Sequence, residues 1–193
     1  NFDQILFYNT YNSLLEEKSF RTIFYEVFIP LLFDLGMLWQ TNTISPSHEH
    51  FLTVHIKQKI LIHIERLQST DPRPSTKTVV LFLPENETHD LGLLFINYEI
   101  LSLGYYTIFL GENIPLNNLK YINKLYDDII YISYFTIKPS DNDIYDYLKI
   151  FSEEYLRVNK NSAKLIGHRI RNLNPENVPK NIMLYDKIED LVK

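Results

Sequence analysis

A histidine with a carboxylate before it and a glycine after it lies in the second half of the chain, as Glu87-x-His89-x-x-Gly92. An imidazole is the most common protein ligand for a transition metal. Glu87 can accept the second ring N–H of His89, which would fix the tautomer and make the ring a better ligand. Gly92 leaves room for a large group near the backbone. These residue types predict a metal-ligand loop. On chemistry alone, a helix-capping loop with an incidental histidine is the more common arrangement.

A tryptophan and a Glu-His pair form a second group of candidates. Trp39 is the only tryptophan of the chain and ends one helical pattern, while Glu49-His50 opens the next. A tight loop would bring all three residues to the same end of a helical bundle. Taken alone, Trp39 is more simply explained as core filling. Glu49 is then explained as a first-turn acid that the helix dipole favours.

The elements before residue 69 are predicted to be helices. Apolar residues recur at helical spacing over about 5–15, 20–38 and 46–67. Pro30 should kink the second helix, because a proline removes one backbone hydrogen bond. Residues 1–74 are therefore predicted to form a small helical bundle. It ends in a short, stiff linker over 69–76 that contains two prolines.

The pattern changes after that linker. Short apolar runs over 78–83, 105–110, 128–135, 163–167 and 182–185 predict five strands. Helices are predicted between them over 90–103, 116–126 and 141–158. This alternation indicates the α/β class, with a doubly wound, flavodoxin-like parallel sheet over 75–193. Such sheets bind ligands beyond the carboxyl ends of their strands. The loop that carries His89 follows the first strand, and so lies at this edge.

Composition and charge exclude several classes of protein. The chain has 193 residues, 45% of them hydrophobic, which is enough for a packed core. It has no Cys, so disulfides, thiolate metal sites and a Cys nucleophile are excluded. A net charge of -5 argues against strong nucleic-acid binding by this chain itself. No apolar run reaches the roughly 20 residues of a membrane span, and the start does not resemble a signal peptide. We therefore expect a cytoplasmic protein without a membrane partner.

The motif Glu87-x-His89-x-x-Gly92 resembles the D/E-x-H-x-x-G signature of cobalamin-binding domains. In that family the histidine replaces the cofactor's own dimethylbenzimidazole on cobalt, and the displaced nucleotide tail runs beside the sheet. The resemblance implies that His89 is the lower ligand of cobalt and that Glu87 and Gly92 support the bound cofactor.

Two later motifs of the same family also have counterparts in the chain. Ser133 matches the serine of the family's S-x-L/T motif, which lies along the nucleotide tail, and Phe135 stands at the Leu/Thr position. The family's Gly-Gly after the fourth strand appears as Gly167-His168. A side chain therefore stands where the tail normally passes close to the backbone. His168 could also hydrogen-bond to the tail.

The spacing Trp39-x9-Glu49-His50 resembles the helical cap of the CarH/LitR-type cobalamin photoreceptors, which are MerR-family transcriptional regulators. In that family the cap closes over the upper face of adenosylcobalamin. The resemblance implies that Trp39 packs against the 5′-deoxyadenosyl group. It also implies that Glu49 and His50 hydrogen-bond to that group.

The resemblance to these photoreceptors implies a sensor rather than an enzyme. Light breaks the Co–C bond of adenosylcobalamin, and this chemistry belongs to the cofactor. Loss of the adenosyl group would shift the cap and change oligomer contacts. The dark form in the family is a DNA-bound tetramer that light dissolves, so we expect a homo-oligomer, either a dimer or a tetramer. DNA would be bound only through a helix-turn-helix domain that we expect to precede residue 1.

One residue departs from the pattern of well-known light-sensing members. The residue directly after their Trp is a histidine, which takes the upper cobalt position once light has removed the adenosyl group. Here that residue is Gln40. A glutamine is a poor ligand for cobalt(III), so the same bis-histidine end state is not available. His48, His50 or water are the alternatives for that position, and we expect a light response that differs in kind or in reversibility.

Two other functions stay open at the level of sequence. A corrinoid methyl carrier pairs the same bundle with the same sheet domain, but it needs an open upper face, against which Trp39 and Glu49-His50 argue. A cobalt–methyl species after incubation with methyl donors would favour this function. A cofactor-free interaction domain is supported only by Gly167-His168. Failure of the purified protein to take up any cobalamin would establish it.

Overall fold

The structure is a computed structural model that describes residues 2–38 in full, the backbone of 39 and 40, and residues 43, 45–68, 75 and 77–193. Most of the predicted linker over 69–76 lies outside these residues, and the domain boundary at residue 74 stays a prediction. The chain divides into two compact units, Asn1–His63 and Ile64–Lys193. No helix in the described part of the chain is both long enough and apolar enough to cross a membrane.

The first unit consists of helices that pack through aromatic side chains. Asp3 caps the first helix, because its carboxylate accepts the Leu6 N–H at 2.8 Å. Tyr11 stacks on Phe28 with ring centroids 6.0 Å apart, and its hydroxyl lies 2.9 Å from Nε2 of His63. The predicted helical bundle is thereby confirmed. Its helices are α1 (Gln4–Glu17), α2 (Phe20–Ile23), α3 (Ile29–Gln40) and α4 (Pro46–Gln68), which continues into the second unit.

A π-helical turn over Phe24–Phe28 joins α2 to α3. The Ile29 N–H bonds to the carbonyl of Phe24, five residues back, directly before Pro30. Pro30 has no N–H with which to continue the ordinary pattern. The predicted irregularity at Pro30 therefore takes the form of a wider turn. Phe24 and Phe28 are both buried, so the turn also places two aromatic rings in the core of the unit.

The second unit is a parallel sheet with the strand order β2-β1-β3-β4-β5. The strand order reverses between β1 and β3, as in the predicted doubly wound, flavodoxin-like fold. The strands are β1 (Thr78–Pro84), β2 (Thr107–Ile114), β3 (Ile129–Tyr134), β4 (Ser162–Ile166) and β5 (Ile182–Tyr185). The helices are α5 (Leu91–Ser102), α6 (Leu119–Leu125), α7 (Ile144–Phe151) and α8 (Ile188–Leu191).

The two faces of this sheet are covered by different helices. On one face Phe82 and Tyr131 pack with Phe151 of α7, with ring centroids 5.6–6.0 Å apart. The alternate residues Ile130 and Ile132 lie on the other face, toward α5 and α8. Burial on both faces explains why the central strands read as continuous apolar runs.

Several predicted boundaries are wrong. β2 begins later than predicted and continues to Ile114 through polar residues that do not read as a strand. The helix predicted over 116–126 begins with a 3₁₀ turn, Leu116–Asn118, and the one predicted over 141–158 ends in a π-helical turn, Ser152–Leu156. α8 was not predicted, because four residues are too few to establish a periodic pattern.

Candidate functional site

The candidate site lies where the strand order reverses, at the carboxyl ends of β1 and β3. β1 ends at Pro84, and the loop after it carries Glu87 and His89. β3 ends at Tyr134, and the loop after it begins beside the first. In a doubly wound sheet this is the crevice in which ligands bind, because the chain leaves the two neighbouring strands in opposite directions.

The carboxylate of Glu87 ties these two loops together. Its side chain is completely buried. Oε1 accepts hydrogen bonds from the Thr88 and His89 amides and, at 2.6 Å, from Nδ1 of the His89 ring. Oε2 accepts three more, at 2.6–3.1 Å, from consecutive amides of the loop after β3, those of Thr136, Ile137 and Lys138. The buried charge is therefore satisfied by six donors, as buried charges must be.

These hydrogen bonds keep the carboxyl group ionised. Burial raises the pKa of Glu87, but hydrogen bonds from the Ile137 amide, the His89 ring, the Lys138 amide and the His89 amide outweigh it, so the pKa lies below its usual value. An ionised carboxylate can only accept hydrogen bonds. Nδ1 of His89 must therefore carry the hydrogen, and Nε2 of the neutral ring carries the free lone pair.

His89 presents that nitrogen to the outside of the sheet. The side chain is 53% exposed, and Nε2 has no hydrogen-bond partner in the part of the chain that the structure describes. The imidazole is thus held by Glu87 at Nδ1, while Nε2 is accessible. This is the arrangement of a metal ligand whose orientation is fixed by a buried acceptor.

Two asparagines hold the beginning of the loop. Asn86 (φ 63°) and Asn113 (φ 58°) both adopt the left-handed conformation that Asn tolerates better than most residues. The Asn86 N–H donates to Oδ1 of Asn113 at 2.8 Å, and the Asn113 N–H donates to the carbonyl of Glu87 at 3.1 Å. The loop after β1 is therefore anchored to the end of β2 as well as to the loop after β3.

Gly92 lies in the first turn of α5, against the ring of Tyr134. A Cβ at this position would stand 2.5 Å from Cε2 of that ring, closer than van der Waals contact allows. The absence of a side chain at Gly92 therefore permits α5 and the end of β3 to approach each other. Tyr134 lies between the two motif residues Ser133 and Phe135 and faces the α5 side of the sheet.

Ser133 and Gly167 lie at the same edge of the sheet. Ser133 is buried, and its hydroxyl donates to the carbonyl of Phe82 on β1 at 2.7 Å. Gly167 follows β4 with φ at 125°, and a Cβ there would stand 2.3 Å from the carbonyl oxygen of Phe135. Only glycine fits this position. His168 is exposed and begins a 3₁₀ turn. Contact of these residues with a nucleotide tail stays a prediction.

The predicted cap residues Trp39, Glu49 and His50 belong to the first unit. Glu49 and His50 lie in the first turn of α4, where Glu49 accepts a hydrogen bond from the Thr53 hydroxyl at 3.0 Å and His50 is exposed. Trp39 lies in the last turn of α3, but its side chain and that of Gln40 lie outside the described residues. His48 is half-buried, and its ring stacks on Phe2 with the centroids 4.6 Å apart. The role of Trp39, Glu49 and His50 as a cap stays a prediction.

The sequence did not reveal two parts of the site around His89, namely the amides that bind Glu87 and the Tyr134 ring. The three amides that bind Glu87 belong to the backbone, so no side-chain pattern reveals them. Tyr134 could have been found, because alternation along β3 places the middle residue of the S-x-L/T motif on the α5 side.

A cofactor-borne metal that takes one ligand from the protein fits the residues present. His89 would supply that ligand, and Glu87 would hold its tautomer. A doubly wound sheet with such an imidazole beyond its central strands, in a chain that also has a helical unit, is the arrangement that the sequence motifs predict for the class of cobalamin-binding domains.

Comparison with known proteins agrees with this class. Residues 1–62 match the B12 binding domain family. A stretch of 96 residues is 28% identical to the HTH-type transcriptional repressor CarH of Myxococcus xanthus, and it covers 50% of this chain but only 31% of that repressor. About the first third of the chain therefore resembles a B12 binding domain. The resemblance to CarH-type cobalamin-binding regulators that the motifs predicted is confirmed.

Solved structures with the same fold include two corrinoid proteins of Methanosarcina barkeri. The monomethylamine corrinoid protein superposes with a TM-score of 0.77, covering 94% of this chain and 84% of that one at 12% identity. The methanol:cobalamin methyltransferase complex gives a TM-score of 0.50, covering 89% of this chain and 64% of that one at 14% identity. At such low identities the likeness establishes the shared fold alone.

Proposed function

We propose that the chain is the adenosylcobalamin-binding sensor part of a transcriptional regulator, and that it responds to light. The observation that carries the proposal is the His89 imidazole, fixed by buried Glu87 at the carboxyl edge of the sheet, with Nε2 open. The similarity to the CarH repressor supports a regulatory role rather than an enzymatic one.

Each residue of the lower site has a defined task in this proposal. Glu87 holds the proton on Nδ1 of His89, so Nε2 can bind the cobalt of adenosylcobalamin from below. The amides of the loop after β3 hold Glu87 in place. Ser133 and Gly167 lie at the carboxyl edge, where the displaced nucleotide tail would leave the corrin ring, and Gly92 lets α5 pack against Tyr134 beside it. When bound, the cofactor supplies a Co–C bond that light can break.

The predicted cap residues would respond to the presence or loss of the adenosyl group. Trp39 would pack against it, while Glu49 and His50 would hydrogen-bond to it. Their release would alter contacts in a homo-oligomer, a dimer or a tetramer. DNA would be bound in the cytoplasm through a separate helix-turn-helix domain.

The visible spectrum with adenosylcobalamin, recorded in the dark and after green light, tests this function. We expect a bound-cobalamin band that survives desalting and changes on illumination. If no band survives, cobalamin binding is wrong. If the band survives but light leaves it unchanged, the sensor role is wrong while the binding role remains.

A variant separates the lower ligand from the rest of the site. His89→Ala should lose the nitrogen ligand, so the dark spectrum should shift toward that of a base-off corrinoid. His168→Ala is a matched control, because this histidine is also exposed at the carboxyl edge but lies after β4. An unchanged spectrum in the His89 variant would exclude His89 as the cobalt ligand.

A corrinoid methyl carrier is the second candidate, because carriers share this fold. It would require an upper face that partner enzymes can reach. Incubation of the cobalt(I)-loaded protein with methyl donors and their partner enzymes distinguishes the two. Turnover through a cobalt–methyl species would favour the carrier over the sensor.

A further inference from the structure

A cavity of about 290 Å³ lies on the α5 and α8 side of the sheet. Its walls are mainly aliphatic, and they come from β1, β3, α5 and α8. The side chains that form these walls include Val79, Ile100, Leu103, Ile130, Ile132 and Leu191. Three lysines, Lys77, Lys164 and Lys193, also line it. An apolar cavity bordered by three cations is an unusual feature on the face of a sheet.

Lys164 is the most deeply placed of these cations. It lies in the middle of β4, opposite Ile132 of β3, and is half-buried. Its ammonium donates one hydrogen bond, to the Leu191 carbonyl at the end of α8, at 2.6 Å. Lys193 is paired with Asp190, but no carboxylate pairs with Lys164 among the residues that the structure describes. Burial and the nearby charge of Lys77 both lower the pKa of Lys164.

The half-buried ammonium of Lys164 has N–H groups that can still donate hydrogen bonds. An ammonium has three N–H groups, of which one donates to the Leu191 carbonyl, while the Tyr185 ring lies 5.4 Å from Nζ. Strands seldom carry a lysine without a carboxylate partner on a face that helices cover, since desolvation of the charge is costly. The cavity is therefore suited to a ligand that is largely apolar and offers hydrogen-bond acceptors to the ammonium.

The cavity lies on the same face of the sheet as the contact between Gly92 and Tyr134. Tyr134, Ile132 and Ile130 alternate along β3 and so face the same side. At a rise of about 3.3 Å per residue, Ile132 lies about 7 Å and Ile130 about 13 Å from Tyr134 along the strand. The Tyr134 ring fills the space between Gly92 and the end of β3 in this structure. A chain that enters at the carboxyl edge and runs beside β3 would therefore reach Lys164 once this ring has turned aside.

We propose that Lys164 makes this chain select corrinoids by the base at the end of their nucleotide tail. The inference rests on the proposed function, in which the tail is displaced from cobalt and runs beside the sheet. A base with several acceptor nitrogens, such as adenine, satisfies the free N–H groups of the ammonium. Dimethylbenzimidazole carries methyl groups on its outer edge and leaves those groups without partners.

Binding of three corrinoids to the full chain in the dark tests the selection. The ligands are cobalamin, its analogue with adenine as the lower base, and cobinamide, which lacks the nucleotide. Wild type should bind the adenine analogue about tenfold more tightly than cobalamin, as expected for a hydrogen bond to a charged group. In Lys164→Met, which keeps the length of the side chain but has no ammonium, this preference should disappear.

Lys124→Met is the matched control, because Lys124 is exposed on α6, a helix that packs on the opposite face of the sheet. It should keep the wild-type preference. Equal affinity of wild type for both bases overturns the inference, whatever the folding of the variant. An equal loss for both bases in Lys164→Met also overturns it, because Lys164 would then contact the phosphate common to both. If wild type binds none of the three corrinoids, the proposed function itself is wrong.

Discussion

Glu87 is a buried carboxylate whose two oxygens accept six hydrogen bonds, five from backbone amides and one from His89. Glu87 is therefore a structural group as well as a support for the candidate ligand. Hydrogen bonds to a charged group contribute about 1.5–3 kcal/mol each, and removal of the acceptor leaves several buried donors without partners. The orientation of His89 and the stability of two loops therefore depend on one side chain.

The pH dependence of stability tests this dual role. Because the pKa of Glu87 is lowered on folding, its stabilising contribution is complete above the pKa of the unfolded chain, about 4.3, and is lost as pH falls through the folded value. Glu87→Gln should lower the free energy of unfolding by about 2–3 kcal/mol at pH 7. Its deficit relative to wild type should shrink as the pH falls below about 4.

Denaturant unfolding of both proteins from pH 3 to pH 7 measures this deficit. Glu85→Gln is the control, since Glu85 is exposed in the same loop, and it should change stability by less than about 0.5 kcal/mol. A deficit of Glu87→Gln that stays constant over this pH range would contradict the assignment of an ionised, hydrogen-bonded carboxylate.

The contact between α5 and β3 depends on the absence of a side chain at Gly92. Gly92→Ala would push a methyl group against the Tyr134 ring, so we expect the free energy of unfolding to fall by about 1–3 kcal/mol. The double variant Gly92→Ala/Tyr134→Ala should recover the part of the loss that comes from overlap, measured as a double-mutant cycle.

Gly36→Ala is a useful comparison for this prediction. Gly36 is also helical, in α3, but nothing lies within 4 Å of a Cβ placed there. This variant should gain up to about 1 kcal/mol through helix propensity. If both alanine variants change stability in the same direction, the contact with Tyr134 does not determine the effect of Gly92→Ala.

The elements that bury continuous apolar surface could be predicted from the sequence. β1 and β3 are buried on both faces, so their apolar runs identify them and place the Glu87 and His89 loop at the carboxyl edge. The second half of β2 and the short α8 could not be predicted, since Glu112 and Asn113 are polar and four residues give no period. The amides that bind Glu87 could not be predicted either, because backbone groups are the same for every residue type except proline.

At the scale of the whole molecule, the proposed function couples a cofactor in one site to the assembly of several chains. The adenosylcobalamin-loaded chain should change its molar mass after green light, as measured by size-exclusion chromatography with light scattering. Protein loaded with hydroxocobalamin has no adenosyl group to lose, so the same illumination should leave its mass unchanged. A change of mass in both samples would indicate an effect of light that does not depend on the Co–C bond.

Glu87 and His89 differ in how many hydrogen bonds of the loops depend on them, and this difference has an evolutionary consequence. Replacement of His89 removes one of the six hydrogen bonds of Glu87, whereas replacement of Glu87 leaves five backbone amides without their acceptor. Selection for a folded chain therefore maintains position 87 even where selection for a metal ligand has ceased. Descendants of such a protein that no longer carry a corrinoid should diverge at position 89 while they retain the carboxylate at position 87.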